Sequence, residues 1–278
     1  MNARFRHKWS EGRDNQTMKT NNNPIGVFDS GIGGLSVWKE LRKALPHESI
    51  VYLADGKNCP YGDKSAEEVE GFVLRAIEEL LRHNVKLIVV ACNTATAVAI
   101  DLLREKYDIP FVGMEPAVKP AALTSESGVI GILATRSSLQ GDLFRNTCAK
   151  YADKVKILSA VGEGFVECVE SGEENDAEVA EPIVRRAVMP LLREGADKIV
   201  LGCTHYPFLA AHIEKLVEGR GVEIINPAPA VARRTAWLLS EHKIKASESH
   251  KAEYRFVTFA DDGYLAKITD KAMQLAEM

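Results

Sequence analysis

LIVVACNTA occupies residues 87–95 and KIVLGCTHY residues 198–206, and this pair decides the fold. Each is a short apolar run, then a cysteine, then polar residues that open a helical pattern. An unbroken apolar run predicts a strand buried on both faces, as in a parallel sheet covered by helices. The second copy starts 111 residues after the first. Further out, IGVFDSGIGGLS (25–36) aligns with IGILATRSSLQG (130–141) at an offset of 105, and MEPAV (114–118) with PAPAV (227–231). Such regular drift predicts a duplicated α/β unit carrying two cysteines in equivalent places.

Between these anchors the chain alternates apolar runs with helical spacing. Strands are expected at 25–29, 50–54, 87–91, 111–113, 128–134, 155–158, 198–202, 222–226 and 254–260. Helices are expected at 35–45, 66–84, 94–106, 182–194 and 230–241. The expected fold class is α/β: two pseudo-symmetric domains, each a mainly parallel sheet flanked by helices. The first comprises residues 24–116 plus 227–278 and the second 117–226. Residues 1–23 are polar, with Asn15 and Asn21–Asn23, and read as a mobile extension.

The 278 residues are 46 % apolar and 27 % charged, which excludes a disordered or fibrous chain. A net charge of −4 argues against nucleic acid as a partner. No apolar run approaches the roughly 18 residues a membrane span needs, and no export signal opens the sequence, so a cytoplasmic protein is expected. The five cysteines are scattered without a C-x-x-C pair, so free thiols are expected, with no metal site.

In parallel sheets, ligands bind at the carboxyl ends of strands. Asp29-Ser30, Cys92-Asn93-Thr94, Thr135-Arg136-Ser137 and Cys203-Thr204-His205 all fall there. A cysteine at a strand-to-helix turn meets backbone N–H donors and a positive dipole end, which lower its pKa. A lone cysteine is more often inert core; two at equivalent repeat positions point to function. Cys59, Cys148 and Cys168 are expected to be structural, although the Cys59 loop could reach the site. His205 is an acid/base partner for Cys203. Asp29 serves Cys92 if their strands are neighbours, or else caps the next helix. SGIGG (30–34) lacks the lysine of a phosphate loop. Two opposed thiols suit α-proton transfer: one removes the proton from one face, the other returns a proton on the opposite face, and the centre inverts. No cofactor signature accompanies them, so none is expected.

FDSGIGGLSV (28–37), CPYGDKS (59–65), VACNTAT (90–96), VGMEPAVKPA (112–121), GILATRSS (131–138) and LGCTHYPFL (201–209) together resemble the glutamate racemases, the cofactor-independent branch of the aspartate/glutamate racemase superfamily. The likeness spans residues 24–241. It implies an active site in the cleft between two α/β domains and production of D-glutamate for peptidoglycan. It makes Cys92 the acid/base for D-glutamate and Cys203 that for L-glutamate, with Asp29 and His205 assisting. It also implies an assisting glutamate, for which Glu170 fits best and Glu167 second. Substrate contacts fall on Asp29, Ser30, Tyr61, Gly62, Asn93, Thr94, Thr204 and His205. RRTAWLL (233–239) and the polar N-terminal extension resemble a branch with members activated by UDP-N-acetylmuramoyl-L-alanine. That implies an activator site at Arg104, Gly113, Met114, Glu115, Pro116, Ala117, Val118 and Lys119. Family members are monomers or homodimers.

Three rivals stand beside this reading: an aspartate racemase, a regulatory protein that keeps the fold without catalysis, and a thiol hydrolase using Cys203 and His205. The hydrolase leaves Cys92 without a purpose, and intact paired cysteines argue against the regulatory protein.

Overall fold

In the computed structural model, which describes residues 20–277, the chain opens with β1 (Ile25–Asp29), α1 (Leu35–Ala44), β2 (Ile50–Ala54), α2 (Ala66–Leu81), β3 (Leu87–Val90), α3 (Asn93–Lys106) and β4 (Phe111–Gly113). It continues through α4 (Val118–Thr124), β5 (Val129–Ala134), α5 (Arg136–Gln140), α6 (Asp142–Ala149), β6 (Lys156–Val161), α7 (Phe165–Ser171), α8 (Ala177–Arg193) and β7 (Lys198–Gly202). A 3-10 turn at Tyr206–Leu209 leads into α9 (Ala210–Val217), β8 (Glu223–Ile225), α10 (Ala228–Glu241), β9 (Tyr254–Thr258) and α11 (Asp262–Glu277).

The apolar runs are strands because both their faces are covered. Every residue of β1, β2 and β3 is buried. Each Val, Ile or Leu side chain so removed from water contributes about 1.5–3 kcal/mol before chain entropy is charged against it. All strand pairs are parallel. The first sheet has the order β4-β3-β1-β2-β9 and the second β6-β5-β7-β8. Read from its other edge, the second is β8-β7-β5-β6, the same order strand for strand as β4-β3-β1-β2. The duplication seen in the sequence is therefore a repeated topology, with β9 added at one edge.

The helix after the fourth strand of each unit crosses to the other sheet. α4 packs on β5 and β7, whereas α10 packs on α1 and β4. β9 pairs with β2, and α11 lies against α1 and β9. These two crossings tie the sheets together beside the strand ends that carry the cysteines.

Several details differ from expectation. The helix expected over 182–194 begins at Ala177, where the Asp176 carboxylate caps the Glu178 N–H at 2.9 Å. Pro182, where the helix was expected to start, lies inside it, as does Pro190. Helices α4, α5, α9 and α11 were not anticipated, and α6 and α7 only as helical patterns around Cys148 and Cys168. Of the segment expected to be mobile, residues 1–19 lie outside the described residues. Asn21 and Asn22 are held: the Asn21 N–H donates to Lys245 O (2.9 Å), the Ser247 N–H to Asn22 Oδ1 (3.0 Å), and Lys86 Nζ to Asn21 O. Among the described residues, no helix is long and apolar enough to cross a membrane.

Candidate active site

Register brings the chemistry together. β1 lies beside β3 with Phe28 opposite Val90, so Asp29 and the turn through Cys92 run side by side. β5 lies beside β7 with Ala134 opposite Gly202, which sets Thr135 next to Cys203. The Cys203 turn is joined across the sheets to the β1–α1 segment beside the Cys92 turn: Thr204 Oγ1 donates to Asp29 Oδ2 at 3.0 Å, and Ser36 Oγ donates to Thr204 O at 2.9 Å.

Cys92 caps α3, its Sγ accepting the Ala95 N–H at 3.5 Å, and lies 3.6 Å from Ser30 Oγ. The helix terminus does not win the thiol over to thiolate, contrary to expectation. Burial, reinforced by the negative charge of Asp29, pushes it up to about 12. Cys203 is equally enclosed, with Sγ 3.7 Å from His205 Nδ1. The two cysteines are only 6 % and 8 % exposed.

Asp29 is not a helix cap, the alternative left open by its sequence. α1 follows Gly34 with no side-chain cap. The Asp29 carboxylate instead accepts from the Gly31 N–H at 3.0 Å and from Thr204. Burial raises it to about 6, against the lowering pull of His205 and these donors. Its carboxylate makes no direct hydrogen bond to Cys92, whose side-chain neighbour is Ser30.

His205 Nε2 lies 2.6 Å from Glu170 Oε1. Burial alone pushes the imidazole down; its contacts with Cys203, Cys59 and Glu170 reverse this and hold it well above its ordinary value. Burial likewise pushes Glu170 up, but His205, the Ile32 N–H at 2.8 Å and the Tyr264 hydroxyl at 2.8 Å outweigh it and leave the carboxyl below its ordinary value. Both directions describe an imidazolium–carboxylate pair. Glu167, the second choice, is exposed.

The glycines of SGIGG are there for close approach. A Cβ on Gly31 would sit 2.0 Å from Glu170 Oε1, and one on Gly33 would sit 2.4 Å from His205 Nδ1. The turn cradles the protein's own carboxylates: Gly31 donates to Asp29 and Ile32 to Glu170.

Opposite lies a hydroxyl cluster that sequence reasoning only partly found. Thr94 Oγ1 is 3.2 Å from both Thr135 Oγ1 and Ser138 Oγ, and Ser137 Oγ is 3.4 Å from Thr94 Oγ1. The 105-residue offset pairs Ser30 with Thr135, and was the signal that could have nominated it. Asn93 is buried, and its Oδ1 has no hydrogen-bond partner among the described residues. The Tyr61 phenol is committed to Asp55 Oδ2 at 2.7 Å, leaving its backbone and Gly62 near Thr135 and Ser137.

Tyr264 and Lys267 of α11, neither foreseen, hold Glu170 from the far side, Lys267 Nζ on the Glu170 carbonyl. Cys59 does reach the site, 3.5 Å from Glu170 Oε1. Cys168 is buried in the core of the second sheet, and Cys148 is half-buried. Arg104 pairs with Asp101 at 3.5 Å on the surface of α3, and Lys119 is exposed on α4. Between them, Met114 and Pro116 line a small cavity together with Asn93 and Ser138.

Residues 25–235 match the family model for Asp/Glu/hydantoin racemases. A curated glutamate racemase from Herpetosiphon aurantiacus is 46 % identical over 245 residues, 88 % of this chain and 96 % of that protein. The crystal structure of a glutamate racemase isoform from Bacillus anthracis superposes with a TM-score of 0.82 at 34 % identity, covering 91 % of this chain and 95 % of that one. That of Escherichia coli glutamate racemase, in complex with L-glutamate and the activator UDP-MurNAc-Ala, gives 0.79 at 33 % identity over 90 % and 95 %.

Proposed function

The chain belongs to the Asp/Glu/hydantoin racemase family and has glutamate racemase activity, and from that premise we propose that it inverts glutamate by two-base α-proton transfer between Cys203 and Cys92, without a cofactor. The observation that carries this reading is the duplicated placement of the two thiols, one at the end of β3 and one at the end of β7, with the Cys203 turn hydrogen-bonded through Thr204 to Asp29 on the strand beside β3.

From L-glutamate, Cys203 Sγ takes the α-proton, with His205 exchanging protons with that sulfur from Nδ1 and Glu170 holding the imidazolium at Nε2. Cys92, kept as a thiol by burial, gives its proton to the opposite face. From D-glutamate the roles reverse, and Asp29, titrating near 6, restores the protonation of the Cys92 side. We assign carboxylate binding to Ser30, Thr94, Thr135, Ser138 and Thr204 and to the Tyr61–Gly62 backbone. The free Asn93 Oδ1 accepts from the α-ammonium group.

The division we favour is residues 24–116 with 227–278 as one unit and 117–226 as the other, the site lying between them. We place the activity in the cytoplasm, where the five cysteines stay reduced, supplying D-glutamate for peptidoglycan. UDP-N-acetylmuramoyl-L-alanine is our proposed activator, with contacts on Arg104 and Gly113 to Lys119. Met114 and Pro116, which share a cavity with Asn93 and Ser138, link that stretch to the substrate pocket.

The test is L-glutamate in deuterium oxide, followed by optical rotation and mass spectrometry. Two bases put solvent deuterium into the first D-glutamate formed while recovered L-glutamate stays protiated. Protium carried from substrate into product overturns the two-base reading. For the activator, the racemisation rate rises with the precursor in the wild type and less in Arg104→Ala. No rise at concentrations up to about millimolar, the upper end of ordinary metabolite affinities, removes it.

A further inference from the structure

Cys59 lies beside the site, yet the two-base reaction gives it nothing to do. Its Sγ is 3.5 Å from Glu170 Oε1, which in turn is 2.6 Å from His205 Nε2. Among the described residues, Cys59, Glu170 and His205 are the one trio of metal-ligating side chains whose donor atoms all fall within 4.8 Å of one another. They come from the loop after β2, from α7 and from the turn after β7. With the three residues so far apart in sequence, no C-x-x-C or H-x-x-x-H spacing advertises them.

We propose that Cys59, Glu170 and His205 form an inhibitory site for a zinc-class divalent cation, which stops racemisation by taking His205 and Glu170 out of proton transfer. The inference rests on the reading of that pair as the assistants of Cys203. One sulfur, one imidazole nitrogen and one carboxylate oxygen make a borderline-soft donor set, suited to zinc and unsuited to magnesium or calcium. A tetrahedral ion at about 2.3 Å from sulfur and about 2.0 Å from nitrogen and oxygen holds its donors roughly 3.2–3.6 Å apart. The Cys59–Glu170 separation already has this value, and the His205–Glu170 contact needs to open by about 0.7 Å. The fourth position is left for water or a substrate carboxylate.

Charge supports the exchange. Without the ion, the cluster holds a neutral thiol, an imidazolium and a carboxylate, for a net charge of zero. Coordination sends two protons to solvent, one from Cys59 and the one shared by His205 and Glu170, and brings in one dication. The net charge stays zero, as a buried cluster requires. No electron moves. Burial pushes the free Cys59 thiol up to about 12, and the incoming ion supplies the positive charge that lets it ionise. Glu170 and Cys59 are only partly buried, so the cluster is not sealed from solvent.

The experiment uses the full chain and three aqueous ions, Zn²⁺, Co²⁺ and Mg²⁺. Zn²⁺ should inhibit racemisation in the wild type. Measured against each variant's own uninhibited rate, Cys59→Ala and Cys59→Ser should require at least about 10–100-fold more Zn²⁺, since even loss of a supporting group around a metal costs that much affinity. Co²⁺ should give a thiolate charge-transfer band saturating at one ion per chain. The band should persist in a Cys92→Ser/Cys203→Ser double variant and vanish in both Cys59 variants. Equal Zn²⁺ sensitivity in wild type and Cys59 variants, or a Co²⁺ band that follows Cys92 or Cys203, overturns the site. Inhibition by Mg²⁺ at the same concentration overturns the donor set. A Cys59-dependent Co²⁺ band without Zn²⁺ inhibition leaves the ion site standing, but overturns both its inhibitory role and the assignment of His205 and Glu170 to proton transfer.

Discussion

Glu170 and His205 meet at 2.6 Å through Oε1 and Nε2, while the other ring nitrogen of His205 faces Cys203 Sγ at 3.7 Å. The carboxylate thus fixes the ring's orientation and its charge, and leaves Nδ1 to the thiol. Each partner's shift agrees with this arrangement, His205 up and Glu170 down. Glu170 is in turn held by the Ile32 amide and by Tyr264, so the first sheet's turn and the last helix both position a group that serves a cysteine on the second sheet.

Cys92→Ser and Cys203→Ser should each lower racemisation by at least about 10³-fold, because a serine alkoxide is far harder to form than a thiolate. Each single variant retains one base, so each should still exchange the α-hydrogen of one enantiomer: Cys92→Ser that of L-glutamate, Cys203→Ser that of D-glutamate. Proton NMR in deuterium oxide reads both enantiomers. Exchange of both by either variant contradicts the assignment of faces.

The cysteines, Asp29 and His205 were legible because strand ends are legible: an apolar run stops, a polar residue follows, and a repeat offset selects which of these matter. The matching strand orders of the two sheets rest on that same offset. Glu170 was reachable only by resemblance, since it sits within α7, where nothing local separates it from Glu167. Tyr264 was not legible. It acts on Glu170 from 94 residues away, through a helix whose pattern is weak beside that of the strands. The ionisation of Cys92 was misread because a helix terminus is visible in sequence and the depth of burial is not.

Glu170→Gln should lower kcat by about 10²-fold, the low end of what lost acid–base assistance costs. Removing the carboxylate removes one of the groups that raise His205. The part of the pH–rate profile that requires protonated His205 should therefore move to lower pH. Glu167→Gln should leave rate and profile unaltered, because that side chain is exposed. A larger effect at Glu167 than at Glu170 reverses the choice between them.

Tyr264→Phe deletes one hydrogen bond to a charged oxygen and little else. Such bonds contribute about 1.5–3 kcal/mol, and a loss of about 1.4 kcal/mol from the transition state is tenfold in rate. A drop of roughly tenfold in kcat with KM nearly constant is expected. The His205-dependent limb should shift less than in Glu170→Gln, since Glu170 keeps its charge. An unchanged kcat and profile would reduce Tyr264 to a packing residue.

Asp29→Asn should make the protein slower and more stable at once. The wild-type carboxyl titrates near 6 in the fold, against an ordinary value of 3.8. Between these values the unfolded chain holds fewer protons at this position than the folded one, so stability falls as pH rises through the interval. The rise of about 2 units corresponds to roughly 3 kcal/mol of destabilisation, fully present above pH 6 and absent below the unfolded value. Asparagine carries no such charge and can still accept the Gly31 N–H, though it gives up part of the interaction with Thr204. Thermal unfolding should show Asp29→Asn more stable than wild type at pH 7.5, with the gap closing as the pH is lowered towards 4. Turnover should fall by about 10²–10⁴-fold, as when general acid–base assistance is lost. A stability gap that is the same at both pH values would mean that Asp29 enters the fold with an ordinary carboxyl, and would remove it as the group that resets Cys92.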